Sequence, residues 1–387
     1  MHSTSKSRAS SFSAPEGRST SRTIVLSANS DWNIANFRSG LIRALREARY
    51  EPVVIAPPDP AAERRMSELG VERIPIRIER SGLNPWADLK LFWKYRELLG
   101  RLRPAAYLGY TIKPNIYGSL AAASLGIPSI PNVSGLGTAF MRPGALQQIV
   151  TWMYRVAFRR SPVVFFQNGE DRQLFVDRRI VRPDQAHVLP GSGVDLARYT
   201  EVPLPDGPPS FLLIARLLRD KGVMEFVEAA RSLRLVLPGA RFQLLGPIDE
   251  GNRSAIRRSE LDRWIADGVI DYLGTTDDVR PFIASATAVV LPSYREGLPR
   301  SLLEAGAMGR PLVATDAPGC RDVVEDGING FLCAVRDVGS LASAIRRIAE
   351  LPKARRFAMG EAARSKVQER FSEIFVTRAY LDVLAGL

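Results

Sequence analysis

Residues 23–28 read Thr-Ile-Val-Leu-Ser-Ala and residues 35–48 read Ala-Asn-Phe-Arg-Ser-Gly-Leu-Ile-Arg-Ala-Leu-Arg-Glu-Ala. Residues 52–56 then read Pro-Val-Val-Ile-Ala, and residues 61–69 Ala-Ala-Glu-Arg-Arg-Met-Ser-Glu-Leu. A short β-branched run, a helical pattern, a second run and a second helical pattern make βαβα. Strand, crossover and strand repeated in this way force a parallel sheet with helices on both faces. The rhythm resumes at Ser210–Ala215, Arg241–Leu245, Val269–Leu273, Ala288–Leu291 and Pro311–Thr315. Between the two series, Pro190–Pro209 is rich in proline and glycine without periodicity and reads as a linker. The expected architecture is α/β, with two doubly wound, Rossmann-like domains over 23–190 and 210–365, joined by 191–209. Their ligands belong in the cleft between the carboxyl ends of the two sheets.

The whole chain agrees with two domains. Its 387 residues exceed one ordinary core. With 45% hydrophobic and 24% charged residues the composition is soluble and globular, and no apolar stretch approaches the roughly 18 residues that span a bilayer. Cys320 and Cys333 are the only cysteines, too few for a disulfide framework or a cysteine-rich metal site, and a reducing compartment is expected. His2 and His187 are the only histidines, so a histidine metal centre or a Ser/His/Asp triad has almost nothing to draw on. The net charge of +12 is uneven: +3 over residues 1–22, +9 over 23–200 and none over 201–387. That asymmetry points the first half toward a polyanion, either nucleic acid or an anionic membrane surface; the plain alternative is a soluble basic surface. Residues 1–22 are rich in serine and threonine, lack apolar periodicity and read as a disordered tail.

The most specific chemistry begins where the run Ala288–Leu291 ends. Residues 292–310 read Pro-Ser-Tyr-Arg-Glu-Gly-Leu-Pro-Arg-Ser-Leu-Leu-Glu-Ala-Gly-Ala-Met-Gly-Arg. Pro299 suits the first turn of a helix, where its missing N–H is no loss. The loop Glu296–Leu298 is then expected to present free amides at the positive end of a helix dipole, a site for phosphate. Glu296 in the loop and Glu304 in the helix are able to face one cleft. Ionised carboxylates there suit sugar hydroxyls, because they offer only acceptor sites; the plainer alternative is two solvated surface glutamates. A second cluster, Arg216-Leu-Leu-Arg-Asp-Lys221-Gly222, follows the strand Ser210–Ala215 and puts two cations at the mouth of the same sheet. These cations can neutralise a diphosphate. No Walker loop, complete GxGxxG or Asp-x-Asp metal pair is present, and Asp277-Asp278 reads as a helix start.

The run Arg295-Glu296-Gly-Leu-Pro-Arg-Ser-Leu-Leu-Glu304-Ala, with Pro311-Leu-Val-Ala-Thr-Asp-Ala-Pro-Gly-Cys-Arg-Asp-Val and Asp326-Gly-Ile-Asn-Gly-Phe, resembles family 4 glycosyltransferases of the GT-B fold. In the first half, Ser30-Asp-Trp-Asn-Ile-Ala-Asn-Phe-Arg38, Thr111-Ile-Lys-Pro-Asn-Ile-Tyr-Gly118 and Asn132-Val-Ser-Gly-Leu-Gly137 resemble one branch of that family. This branch builds bacterial surface glycans on undecaprenyl diphosphate and includes the diacetylbacillosamine N-acetylgalactosaminyltransferase type. The resemblance covers nearly everything from Thr23 to Leu387 and implies a C-terminal helix, 366–387, returning toward the first domain. It also implies retaining transfer from a nucleotide sugar, most often a UDP-sugar, with no required metal and no cofactor beyond the donor. Carried onto this chain, Arg216 and Lys221 hold the diphosphate, Glu304 accepts from the ribose, and Glu296 with the Gly297 and Leu298 amides orients the donor. The uracil is expected against backbone near Gly246 and Leu273. In place of the family's frequent glycine-rich turn after the first strand stands Asn29-Ser-Asp-Trp-Asn, and Tyr110-Thr-Ile-Lys113 occupies the region where many members carry a histidine. The donor sugar therefore stays open.

A polyprenyl-diphosphate-linked saccharide as acceptor would give the first half's charge a purpose. Arg38, Lys113 and Asn115 are the acceptor-side candidates. Leu146–Arg160 carries Ile149, Val150, Met153, Val156 and Ala157 near helical spacing, with Arg155, Arg159 and Arg160 close by. Such a helix suits a bilayer surface, or else turns its stripe to the core. The expected setting is the cytoplasmic face of the cell membrane, without a nucleic-acid partner, since no aromatic stacking platform is interleaved with the basic residues. The alternatives are transfer to a soluble acceptor and, in a different class, a non-catalytic basic protein binding membrane or nucleic acid.

Overall fold

The computed structural model describes residues 21–79, 84–136 and 144–387. The first domain runs β1 (Thr23–Ser27), α1 (Asp31–Phe37), α2 (Ser39–Glu47), β2 (Glu51–Ala56), α3 (Glu63–Leu69), β3 (Glu72–Pro75), α4 (Pro85–Leu102) and β4 (Ala106–Gly109). It continues with α5 (Ser119–Ser124), entered through a π-helical turn at Pro114–Gly118, then β5 (Asn132–Val133), α6 (Ala145–Phe158), β6 (Val164–Phe166), α7 (Gly169–Asp177) and β7 (Ala186–Val188). Strands pair in parallel in the order β3-β2-β1-β4, and bridges Tyr107 to Ser129 and Tyr110 to Asn132 join that sheet to β5-β6-β7. β1 is apolar almost throughout because helices cover both of its faces.

The second domain runs β8 (Ser210–Ile214), α8 (Val223–Leu233), β9 (Arg241–Leu245), α9 (Arg258–Ala266), β10 (Asp271–Tyr272), α10 (Arg280–Ser285) and β11 (Ala288–Leu291). It closes with α11 (Arg300–Ala307), β12 (Leu312–Thr315), α12 (Cys320–Val323), β13 (Gly330–Cys333), α13 (Val338–Glu350) and α14 (Lys353–Arg370). Its parallel sheet has the order β10-β9-β8-β11-β12-β13, so the order reverses beside β8. The adjacent strands β8 and β11 are the two whose following loops carry the charged motifs, which is where a doubly wound sheet opens its crevice. Arg310 lies fully buried behind this sheet, donating to the carbonyls of Ile283, Val202 and Pro203, and burial pushes its pKa down to about 10.

Three sequence expectations change. The helix expected over Ala35–Ala48 is two, because Arg38 (φ −130°, ψ 5°) ends α1 and precedes α2. Its guanidinium leaves the helix surface and stacks on the Tyr110 ring, 4.0 Å from the centroid. The second domain does not stop at 365; α14 reaches Arg370, and the chain crosses at Phe371 and Ser372. There it runs beside the other crossing, Val194 donating to Phe371 O and accepting from the Glu373 amide. Gly193 (φ +67°) sits so close that a Cβ would lie 2.3 Å from Glu373 Cα. The last helix, α15 (Glu373–Ala385), then buries Val376, Tyr380 and Leu384 in the first domain's core with Ile34, Ile42 and Met66. Third, α6 serves both alternatives: Val150, Tyr154, Ala157 and Phe158 face the core, whereas Leu146, Ile149, Trp152 and Val156 face solvent. Arg155 does not face outward with them; it donates to the carbonyls of Arg178 and Arg179. No helix among the described residues is long and apolar enough to cross a membrane.

Candidate active site

The turn after β8 and the loop after β11 meet. Gly222 (φ +72°) ends the turn against the Pro292 carbonyl, a closeness that admits no Cβ. The Tyr294 amide donates to Asp220 O, and the Ser293 hydroxyl to the same carbonyl. These bonds set Lys221 opposite Glu296, and the two form an ion pair at 2.5 Å with both side chains largely covered. Arg216 lies more exposed and pairs with Asp249 at 2.8 Å. The two cations therefore have carboxylate partners.

The loop before α11 is less open than its sequence suggests. Pro299 is the cap residue and α11 starts at Arg300. The Glu296 amide is not free, since it donates to Pro318 O at 3.1 Å. The Gly297 and Leu298 amides take no hydrogen bond among the described residues and stay available. One turn on, Glu304 is buried and its Oε1 accepts from the Tyr199 hydroxyl at 2.8 Å and from Arg300 Nε at 2.7 Å. Burial opposes the Arg300 charge, but Glu304 and Tyr199 more than offset it and the guanidinium pKa rises. Gly246 and Leu273 stand at neighbouring strand ends, with the Gly246 amide bonded to Gly274 O and the Tyr272 hydroxyl to Gly246 O. A Cβ on Gly246 would lie 1.9 Å from Ala215 O, so only glycine fits that rim.

The first domain reaches this loop directly. Asn168, the cap of α7, accepts the Asp171 amide on its Oδ1 and donates its Nδ2 to Gly297 O at 2.8 Å. Asp171 pairs with Arg295, yet burial holds its carboxyl above the usual range. A Cβ on Gly297 would lie 2.3 Å from Ser134 O. At the other end of the cleft, Asn36 at the end of α1 receives two arginines: Arg300 on its carbonyl and Arg65 on its side chain. Arg65 also reaches the Asp277 carbonyl beyond β10. No spacing in the sequence marks Tyr199, Asp249, Asn168, Asp171, Asn36 or Arg65. Only Asn168, followed by acidic residues after a strand-like run, carried the local mark of a helix cap.

The acceptor-side candidates do not converge on the charged loops. Arg38 is buried over Tyr110 and lines a small cavity at the cleft floor with Arg43, Arg198 and Arg300. Lys113 forms a covered ion pair with Asp88 at 2.7 Å. Asn115 is buried and donates to Asn132 O at 2.8 Å, which ties the π turn to β5. Asn115 is thus a framework residue, a correction to its expected contact with acceptor.

Two facing Rossmann-like domains, a cation pair at the switch point of the second and a glutamate-flanked loop before a helix define the GT-B architecture. Residues 34–191 match the model for the glycosyl transferase 4-like domain, and residues 208–350 that for glycosyl transferases group 1. The chain belongs to the family 4 glycosyltransferases. It is 28% identical over 369 residues to the N,N'-diacetylbacillosaminyl-diphospho-undecaprenol alpha-1,3-N-acetylgalactosaminyltransferase of Campylobacter jejuni, covering 91% of this chain and 95% of that one. It is 23% identical to the UDP-Gal:alpha-D-GlcNAc-diphosphoundecaprenol alpha-1,3-galactosyltransferase of Escherichia coli, over 68% of this chain and 71% of that one. Among solved structures, Anabaena HepE in complex with UDP and glucose superposes with a TM-score of 0.78 at 18% identity, over 94% of this chain and all of that one (100%). That likeness establishes the fold.

Proposed function

We propose that the protein transfers one sugar from a UDP-sugar to an undecaprenyl-diphosphate-linked saccharide during surface glycan assembly, with retention and without a metal. The observation that carries this reading is the Lys221–Glu296 pair beside Arg216, where the switch point of the second sheet meets the loop before α11. The names of the Campylobacter and Escherichia relatives support the lipid-linked acceptor, and the second of them a UDP-sugar donor.

Cleaving the bond between sugar and diphosphate builds negative charge on the departing UDP. Arg216 and Lys221 meet that charge as it grows, with the Gly297 and Leu298 amides beside them, and this preorganised field favours the transition state over the ground state. Glu296 orients the donor sugar while its partner Lys221 shields the phosphate from the carboxylate. Glu304, held by Tyr199 and Arg300, accepts from the ribose, and the uracil lies along Gly246 and Leu273. In same-face attack a donor phosphate oxygen takes the acceptor proton, so no protein nucleophile is required. The first domain supplies the acceptor side, with Arg38 and Lys113 as its cations. The enzyme works peripherally on the cytoplasmic face of the cell membrane, with an anionic bilayer and no nucleic acid as partner.

A screen of radiolabelled UDP-sugars against a membrane extract, read as label entering the lipid phase, tests this reading. Incorporation only into water-soluble product would favour a soluble acceptor, and no turnover with UDP-sugars would overturn the donor assignment.

A further inference from the structure

Three tryptophans of the first domain stand out in water: Trp86 is 76%, Trp93 56% and Trp152 61% exposed. On α4, Trp86, Leu89 and Trp93 recur at helical spacing on the side opposite Leu91, Tyr95 and Leu98, which face the core. On α6, the exposed apolar residues are Leu146, Ile149, Trp152 and Val156. Helices α4, α5, α6 and α7 share one core cluster on one side of the sheet, and α5 lies between α4 and α6. A Cβ on Gly100 near the end of α4 would touch Leu125 just beyond α5, and Arg160 beyond α6 donates to Ala123 O. Val156, one turn before Arg160, and Ile149, three turns before it, share its flank and so turn toward α4. The opposite flank of α6 is polar, with Arg155 fixed on the carbonyls of Arg178 and Arg179 just past the end of α7.

The two apolar faces thus border one surface. Exposed Lys90, Lys94 and Arg96 stand beside the α4 tryptophans, with the Arg96 guanidinium 5.7 Å from the Trp93 ring, and exposed Arg159 and Arg160 follow α6. The sequence reads as carrying no aromatic stacking platform among its basic residues; here two exposed tryptophans, Trp86 and Trp93, lie beside Lys90, Lys94 and Arg96. Because α4 joins β3 to parallel β4, and α6 joins β5 to parallel β6, both helices run antiparallel to the sheet. Their first turns, with Trp86 and Leu146, lie at the carboxyl edge of the strands, the edge that opens on the cleft.

We propose that α4 and α6 form a two-helix platform that docks the first domain on an anionic lipid bilayer with the cleft's acceptor rim at the membrane surface. The proposal deepens the reading above and rests on it for the choice of partner. An indole is apolar with a single N–H donor and suits the headgroup boundary, and lysine and arginine beside it meet anionic headgroups. Such a face lies on a bilayer rather than through it.

The test floats the full chain with vesicles of phosphatidylcholine, with and without phosphatidylglycerol. Wild type is expected to float with the anionic vesicles, and its tryptophan emission to shift blue. Trp86→Ser with Trp93→Ser and Trp152→Ser should weaken vesicle affinity by about tenfold or more. Lys90→Glu with Lys94→Glu and Arg96→Glu, which touches only exposed side chains, should abolish the preference for anionic vesicles. UDP affinity, measured by calorimetry without vesicles, should stay unchanged in the charge-reversal variant; its loss in wild type would sink the donor reading and leave the platform standing. Flotation of both variants at the wild-type level would overturn the platform. So would a wild-type dimer that these substitutions dissociate, or tight binding to an oligonucleotide in place of vesicles.

Discussion

Lys221 and Glu296 form an ion pair at 2.5 Å across two neighbouring strand ends, so the turn after β8 and the loop after β11 are one electrostatic unit. A lysine so placed already sits in a carboxylate's field, so under the proposed donor assignment a diphosphate meets a cation that is already oriented.

Removing either proposed anchor of the donor is expected to be felt in binding. Lys221→Ala and Glu304→Ala should each weaken UDP by about 1–3 kcal/mol, the usual loss for a hydrogen bond to a charged group. Calorimetry reads this directly, and unchanged affinity in both variants would remove the donor-site assignment.

Arg300→Met addresses the link between Glu304 and the first domain. The buried carboxylate loses its strongest donor while Tyr199 remains, and Asn36 loses one of its two arginines. UDP affinity should fall by about 1.5–3 kcal/mol, with a larger radius of gyration in solution scattering. A variant as compact and as tight as wild type would show that this arginine is only a surface contact.

Gly297→Ala forces a Cβ to within 2.3 Å of the Ser134 carbonyl, a backbone group on the opposite domain. Overpacking of this kind costs about 1–3 kcal/mol. The urea midpoint should drop accordingly, and a midpoint equal to wild type would mean that the two domains separate there without cost.

Chelator should leave turnover intact if, as proposed, Arg216, Lys221 and two amides supply the positive field on the leaving group. Activity lost in chelator and restored only by manganese would contradict the metal-independent mechanism.

Much of the fold was readable because strands buried on both faces announce themselves as short apolar runs, as at 23–28, 210–215 and 288–291. Arg38 was not readable as a break, since its neighbours continue the helical pattern and only the distant Tyr110 ring draws the side chain inward. In the site, Lys221, Glu296 and Glu304 were marked by their position after strands, whereas their partners were hidden. Tyr199 lies about a hundred residues before Glu304, and Asn168 still further from Gly297, with no period to relate them. Asn115 misled for the same reason: a loop asparagine looks free until the Asn132 carbonyl is seen beside it.

Tyr380→Ala tests the return of the last helix. The ring is fully buried among first-domain residues and its hydroxyl accepts from Asn132 Nδ2 at 3.1 Å. The loss should be about 3–5 kcal/mol, read by denaturant unfolding, and a loss below 1 kcal/mol would mean that α15 is dispensable to that core.

The same helix sets the order of synthesis against the order of completion. The first domain leaves the ribosome early, with Ile34, Ile42 and Met66 awaiting Val376, Tyr380 and Leu384 from the far end of the chain. Until α15 is made, a nascent chain carries an unfinished hydrophobic wall. A nonsense codon ahead of α15 would therefore injure the half of the molecule made first.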